Sequence, residues 1–271
     1  MGKSVPRAVT LGNVSNYVPQ EYWESLHGRD DLSAVGQSGL PARFNAWLYR
    51  NGARNLDGFL AKSLTRPPVS VYDVGAGTGY WVAYWLRRGA RVAGSDLIEK
   101  AVHRLTERFE GDFTVLDISA LRPKGQYELV SCMNVLLHIT EDVAFDRALS
   151  HLAAAVAPGG SLLIADPIAA QEWAGTSSRA RSLERYAVPL AAAGLRLRAI
   201  AGTTVIGANP IERSARLHPI WRAWWSGASG IARRSPMFSD LLGRLIYAVD
   251  PTLLKRGLAP SGKFALFERP A

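Results

Sequence analysis

Three glycines at alternate positions, Gly75, Gly77 and Gly79, follow the apolar run Val71, Tyr72, Asp73, Val74. A strand that turns sharply into a helix and brings its backbone close to a ligand leaves no room for Cβ atoms, and glycine meets that demand. Asp96 ends the next apolar run, 21 residues after Gly75, where a carboxylate can accept hydrogen bonds from both hydroxyls of a ribose. Asp117 follows the run after that and is placed to accept from an adenine amino group. Each aspartate alone reads equally well as a helix cap or a turn residue. Taken with the glycines, the two describe an adenosine site. A nicotinamide dinucleotide fingerprint would need Gly or Ala at position 80, where Tyr80 stands, and no phosphate-loop pattern ending in Lys followed by Ser or Thr occurs.

Two further residues carry proton chemistry. His138 lies just beyond the apolar segment that starts at Tyr127; an imidazole there can take a proton near neutral pH, or can pack as a structural histidine. Asp166 ends the run Leu162, Leu163, Ile164, Ala165 and precedes Pro167. It is a candidate to orient a hydroxyl or amine, or to cap the next helix. The single cysteine, Cys132, rules out an intrachain disulfide and leaves no thiolate metal set. The acids and histidines assemble into no evident metal cluster either, so metal-independent chemistry is the expectation.

Positioning these residues requires an alternating α/β scaffold. At 271 residues, 48% hydrophobic and 20% charged, the chain suits one elaborated domain. Short apolar, β-branched runs predict strands over 69–74, 91–95, 112–115, 127–133, 161–166, 195–206 and 263–268, with helices over 81–88, 97–109, 141–156 and 178–193. Thr140 is a candidate N-cap for the third of these helices, and Gly194 ends the fourth. The expected fold is a doubly wound, mostly parallel seven-stranded sheet. It divides into an N-terminal helical cover (1–66), a core (67–212), a helical lid insert (213–258) and a final core strand (259–271).

The stretch from Val69 to Asp166 resembles the class I, Rossmann-like S-adenosylmethionine-dependent methyltransferases of small-molecule type. VYDVGAGTG is similar to their glycine motif, VAGSDL to the acidic second motif and FTVLDIS to the adenine-contacting segment. YELVSCMNVLLHI and VAPGGSLLIADP resemble the segments around their fourth and fifth strands. By that resemblance Asp73, Gly75, Gly77, Asp96, Leu97, Asp117, Ile118 and Asn134 surround S-adenosylmethionine, with Ala76 inside the turn. Methyl transfer from a sulfonium is an in-line displacement, so the protein aligns a nucleophile and removes its proton. The acceptor would sit near the ends of the fourth and fifth strands, by His138 and Asp166. Enzymes of this class that methylate nucleobase amino groups carry an Asn, Asp or Ser followed by two prolines and an aromatic residue. Here the tetrad is Asn134, Val135, Leu136, Leu137, which argues against that chemistry.

The additions bear on the acceptor. Tyr22, Trp23 and Tyr49 are candidates to close over the cofactor and acceptor, with Asn45, Arg181 and Tyr186 as further polar contacts. Leu217, Ile220, Trp221, Trp224 and Trp225 recur at helical spacing, as do Phe238, Leu241, Leu242, Leu245 and Ile246. Packing of two lid helices explains both stripes; an aromatic acceptor pocket around Trp221 is the functional alternative. Residues 213–258 carry Arg213, Arg216, Arg222, Arg233, Arg234, Arg244, Lys255 and Arg256 against Asp240 and Asp250. An anionic or carrier-bound acceptor would suit that balance.

The net charge of +9 comes from scattered arginines rather than a run that tracks phosphates, so no nucleic-acid partner is expected. No apolar stretch reaches the roughly 20 residues of a bilayer span, and the first ten residues lack the apolar centre of a signal peptide; a cytoplasmic location is expected. The resulting reading is methyl transfer to oxygen or nitrogen of a small secondary metabolite. The alternatives are an RNA or protein methyltransferase and a non-catalytic regulatory protein that binds S-adenosylmethionine.

Overall fold

A computed structural model describes residues 17–27, 31–37, 39–212 and 216–271; of the lid's basic residues, Arg213 lies outside them. Two helices, α1 (Pro19–Leu26) and α2 (Ala42–Ser63), precede the first strand. The alternating core follows: β1 (Ser70–Val74), α3 (Tyr80–Leu86), β2 (Arg91–Asp96), α4 (Glu99–Arg108), β3 (Phe113–Val115), β4 (Tyr127–Met133), α5 (Asp142–Ala154) and β5 (Val156–Asp166). The chain continues through a hairpin, β6 (Trp173–Ala174) and β7 (Arg179–Ala180), to α6 (Leu183–Ala192) and β8 (Arg196–Gly202). A helical pair, α7 (His218–Arg234) and α8 (Pro236–Lys255), intervenes before β9 (Lys263–Glu268).

Seven strands form one sheet in the order β3-β2-β1-β4-β5-β9-β8. The pairings from β3 through β5 are parallel, and β9 runs antiparallel to both β5 and β8. Successive strands step outward from β1 in one direction and then, from β4, in the other. The crevice at the carboxyl ends of β1 and β4 is therefore the switch point at which such sheets bind ligands.

Strand alternation builds two apolar layers. Tyr72, Val74, Val130, Cys132, Leu162 and Ile164 face α5 and α6, meeting Phe145, Leu149, Leu152 and Leu190. Val71, Leu129, Leu163 and Ala165 point the other way and meet Leu56 and Phe59 of α2, Val82 and Trp85 of α3 and Leu105 of α4. A third cluster joins Phe44 of α2 to Val205, Ile206, Trp225 and Ile246.

Several local expectations are corrected. The segment from Ser178 starts as the β6–β7 hairpin, because Gly175 N–H closes a turn on Ser178 O at 2.7 Å; α6 begins only at Leu183. Glu141 rather than Thr140 occupies the N-cap of α5. The strand expected to reach 206 stops at Gly202, since the N–H groups of Val205 and Ile206 donate to Asp250 Oδ1 at 2.7 and 2.8 Å rather than to a neighbouring strand.

The two stripes of the lid are only half buried. Trp225 and Ile246 are covered, whereas Ile220 and Leu241 remain 60% and 61% exposed, and Leu217, Phe238 and Leu245 are exposed too. The cause is the seat of α8, whose buried face runs through Ser239, Gly243, Ile246 and Asp250. A Cβ at Gly243 would come within 2.3 Å of the Trp47 ring, so glycine sets how closely α8 approaches α2.

Asp250, fully buried, fixes this packing. Besides the two backbone donors it accepts Asn51 Nδ2 at 2.8 Å and Asn55 Nδ2 at 3.0 Å. Replacing it with alanine strands four buried donors, each costly when left unpaired. Asp250→Ala is expected to lower the unfolding free energy by about 3 kcal/mol in urea titrations.

Candidate functional site

Two adjoining cavities lie at the carboxyl edge of the sheet. The first, of about 270 Å³, is lined by Gly75, Ala76, Gly77, Asp96, Leu97, Asp117, Ile118 and Asn134. Gly75, Gly77 and Gly79 all take positive φ, at 66°, 55° and 80°, a region that disfavours side chains. Space also excludes a Cβ: at Gly75 it would stand 2.4 Å from Val135, and at Gly79 2.4 Å from Phe109.

Asp96 accepts Gly77 N–H at 2.8 Å on Oδ2 and Ile98 N–H at 2.9 Å on Oδ1. Its carboxylate is thereby held at the cavity wall with lone pairs to spare. Burial raises its pKa, and backbone donors work against that shift. Asp117 Oδ1 is occupied by the Ser119 amide and hydroxyl at 2.8 and 2.7 Å. Ile118 is anchored through its carbonyl, which His151 Nδ1 approaches at 2.8 Å.

Asp73 is buried, and neither of its oxygens finds a well-directed hydrogen-bond partner among the described residues. Burial pushes its pKa up to about 7, the neighbouring Ser131 hydroxyl lowers it and Asp96 raises it further. A nearby cation would restore its charge.

A roof comes from α1 and the residues around it. Tyr17, Trp23 and His27 line the first cavity. His27, which carries no signal in the sequence, is 2% exposed with no partner for Nδ1 among the described residues, while Arg104 Nη2 holds its carbonyl at 2.9 Å. Burial lowers its pKa and the Asp96 carboxylate opposes that.

The second cavity, of about 430 Å³, includes Tyr22, Asn45, Asn51, Leu137, Trp173, Ser177, Thr204 and Phe264 in its lining. Trp23, Val35, Tyr49, Trp81, Met133, Asn134 and His138 line both cavities. Asn134 is the one non-glycine residue with positive φ (59°) among the described residues. Its N–H donates to Ala165 O at 2.7 Å, and asparagine tolerates this backbone region better than most residues.

His138 ends the 3-10 turn Leu136–His138 and meets Trp23 edge-on, ring centroids 4.8 Å apart. Its Nδ1 lies 2.7 Å from Ser177 O. A carbonyl only accepts, so Nδ1 carries the proton and Nε2 keeps its lone pair. Burial lowers the His138 pKa, and the bond to Ser177 raises it less.

Three of the polar candidates sit beneath that turn rather than in a cavity. Asp166, 1% exposed, accepts Leu137 N–H at 3.2 Å and the Tyr186 hydroxyl; burial brings its pKa up to about 7. Arg181, fully buried, donates to Ile139 O at 2.8 Å, pairs with Asp142 at 3.4 Å and lies over the Phe145 ring. Trp221 packs in the lid cluster and lines neither cavity. Asn45 lines the second cavity, but its side chain is already engaged with Gln37 N–H at 2.8 Å and Leu40 O at 3.1 Å. Tyr49 donates to Val35 O at 3.2 Å.

A family model described as a methyltransferase domain matches residues 44–200, more than half of the chain. The chain belongs to that family. It is a class I, Rossmann-like methyltransferase whose cofactor is S-adenosylmethionine. The ubiquinone biosynthesis O-methyltransferase of Xanthomonas campestris pv. campestris is 32% identical over 114 residues, 39% of this chain and 46% of that protein. The like-named protein of Bordetella bronchiseptica is 34% identical over 97 residues, 33% of this chain and 39% of its own. The match thus spans less than half the length of these curated relatives.

Among solved structures, N-methyltransferase NodS of Bradyrhizobium japonicum WM9 superposes with a TM-score of 0.56 at 12% identity, covering 93% of this chain and 98% of that one. The 1,6-didemethyltoxoflavin-N1-methyltransferase of Burkholderia thailandensis gives 0.55 at 18%, covering 93% and 86%. At these identities the likeness is one of fold. The residues present fit the methyltransferase cofactor: a glycine cradle that a Cβ would fill and a walled carboxylate at Asp96. Asp96→Ala is expected to weaken binding of S-adenosylhomocysteine about 100-fold, the roughly 3 kcal/mol that two charge-assisted hydrogen bonds supply, read by calorimetry.

Proposed function

We propose that this methyltransferase moves a methyl group to an oxygen or nitrogen of a small secondary metabolite, with His138 as general base. The observation that carries the reading is the place of His138 in the wall common to both cavities, its tautomer set by Ser177 O at 2.7 Å. Bound S-adenosylmethionine supplies an activated methyl on a sulfonium. Asp96 and Asp117 would hold its adenosine half; Asp73, buried near the end of β1, lines neither cavity. The His138 Nε2 lone pair takes the proton of the attacking hydroxyl or amine from the acceptor side. Its depressed pKa keeps the ring neutral at pH 7, so the base form is the resident one.

Asp166 acts as a positioning residue in this scheme. It holds Leu137 N–H, and Arg181 holds Ile139 O, so the peptides on either side of His138 are both fixed. The curated relatives are named O-methyltransferases, which favours oxygen as the acceptor atom.

Incubation with S-adenosylmethionine labelled in the methyl group and a metabolite extract is expected to place label in the low-molecular-mass fraction. Label in RNA or protein instead would overturn the proposal. His138→Ala is expected to lower kcat about 100-fold or more with S-adenosylhomocysteine affinity unchanged. Protonation of His138 removes the base, so the wild-type rate should fall as pH drops below the ordinary imidazole range near 6.5. That acid limb should be missing from the residual rate of the alanine variant.

A further inference from the structure

We infer that the second cavity takes an uncharged aromatic acceptor that carries a hydrogen-bond donor remote from the methylated atom, and that Asn51 holds that donor. This rests on the methyl-transfer reading and adds the acceptor class and a binding residue to it.

The charge of the cavity differs from that of the chain. The protein carries +9 overall, yet no Asp, Glu, Lys or Arg is among the described residues lining the second cavity. Two of the lid arginines are directed elsewhere: Arg233 Nε donates to Gly39 O at 3.2 Å, and Arg244 lies over the Trp47 ring, 5.3 Å from its centroid. An ionised acceptor would leave water for a wall with no counter-charge among the described residues, which is costly. The walls instead supply aromatic surface from Trp23, Trp81, Trp173 and Phe264, suited to a ring. At about 430 Å³ the space fits a fused aromatic system.

Asn51 supplies the polar specificity. It is 1% exposed and lines the cavity. Its Nδ2 donates to Asp250 Oδ2 at 2.8 Å and to Thr204 Oγ1 at 3.3 Å. A carboxylate accepting four N–H groups cannot donate to an amide oxygen, so the amide is held in one orientation. Its Oδ1 is then the amide's unused acceptor, buried at the cavity wall and without a partner among the described residues. A buried carbonyl left unpaired is costly, and an O–H or N–H on the acceptor relieves it. His138 Nε2 takes one donor of the acceptor; Asn51 Oδ1 takes the other.

The test is calorimetry on protein saturated with S-adenosylhomocysteine, titrated with dihydroxynaphthalene, naphthol and a hydroxynaphthoate. The expected result is that dihydroxynaphthalene binds about 10-fold tighter than either of the others, the effect of one added hydrogen bond or one buried unpaired charge. Equal affinity for the first two, or tightest binding of the carboxylate, overturns the inference. So does absence of binding by all three while S-adenosylhomocysteine binds, an outcome that leaves the methyl-transfer reading standing. Failure of S-adenosylhomocysteine itself to bind overturns both.

Asn51→Ala, checked for folding by circular dichroism, is expected to bring dihydroxynaphthalene down to the affinity of naphthol; a preserved ratio removes Asn51 from the proposal. The wild-type comparison stands whether or not that variant folds. Arg233→Glu with Arg234→Glu is expected to leave all three affinities unchanged, and a tenfold or greater loss for the hydroxynaphthoate would restore an anionic acceptor against the inference.

Discussion

A single carboxylate in α8, Asp250, ties α8, α2 and the chain beyond β8 together. Four N–H donors converge on it from two directions, the amides of Asn51 and Asn55 on α2 and the backbone of Val205 and Ile206 beyond β8. Burying a carboxylate demands this many donors, because the water it loses must be replaced. The demand ends β8, seats α8 on α2 and turns the Asn51 amide, so lid packing and cavity chemistry share one cause.

A second constraint operates beneath His138. Asp166 and Arg181 hold the peptides on either side of that short turn, and Tyr186 holds Asp166. These side chains are buried and line neither cavity, and a base at His138 would rely on them to keep its ring within a narrow range of positions. The left-handed backbone at Asn134, φ 59°, is tied to β5 through Ala165 O.

What was legible in the sequence follows from the range of each interaction. Strand periods, the glycine turn and the acids at strand ends are local patterns, and the sheet, the first cavity's Asp96 and Asp117, and the site of His138 could be read from them. Asn51, His27 and Trp173 belong to the cavities only because distant segments fold over the sheet edge; their neighbours in sequence carry no such signal. Arg181 and Tyr186, expected from the sequence as polar contacts of the acceptor, lie in the scaffold instead. Their burial shows that polar residues near a site can serve the scaffold around it. The lid stripes mislead for a similar reason: periodicity gives an apolar face, but Gly243 and Asp250 decide which side of α8 meets α2.

One short helix covers both chambers. Trp23 of α1 lines the first and the second cavity alike, and α1 itself contributes no buried residue. An element held so lightly is among the first to open in thermal fluctuation. Because the roof is common, the two chambers share a door: displacing α1 to exchange one occupant exposes the other to solvent.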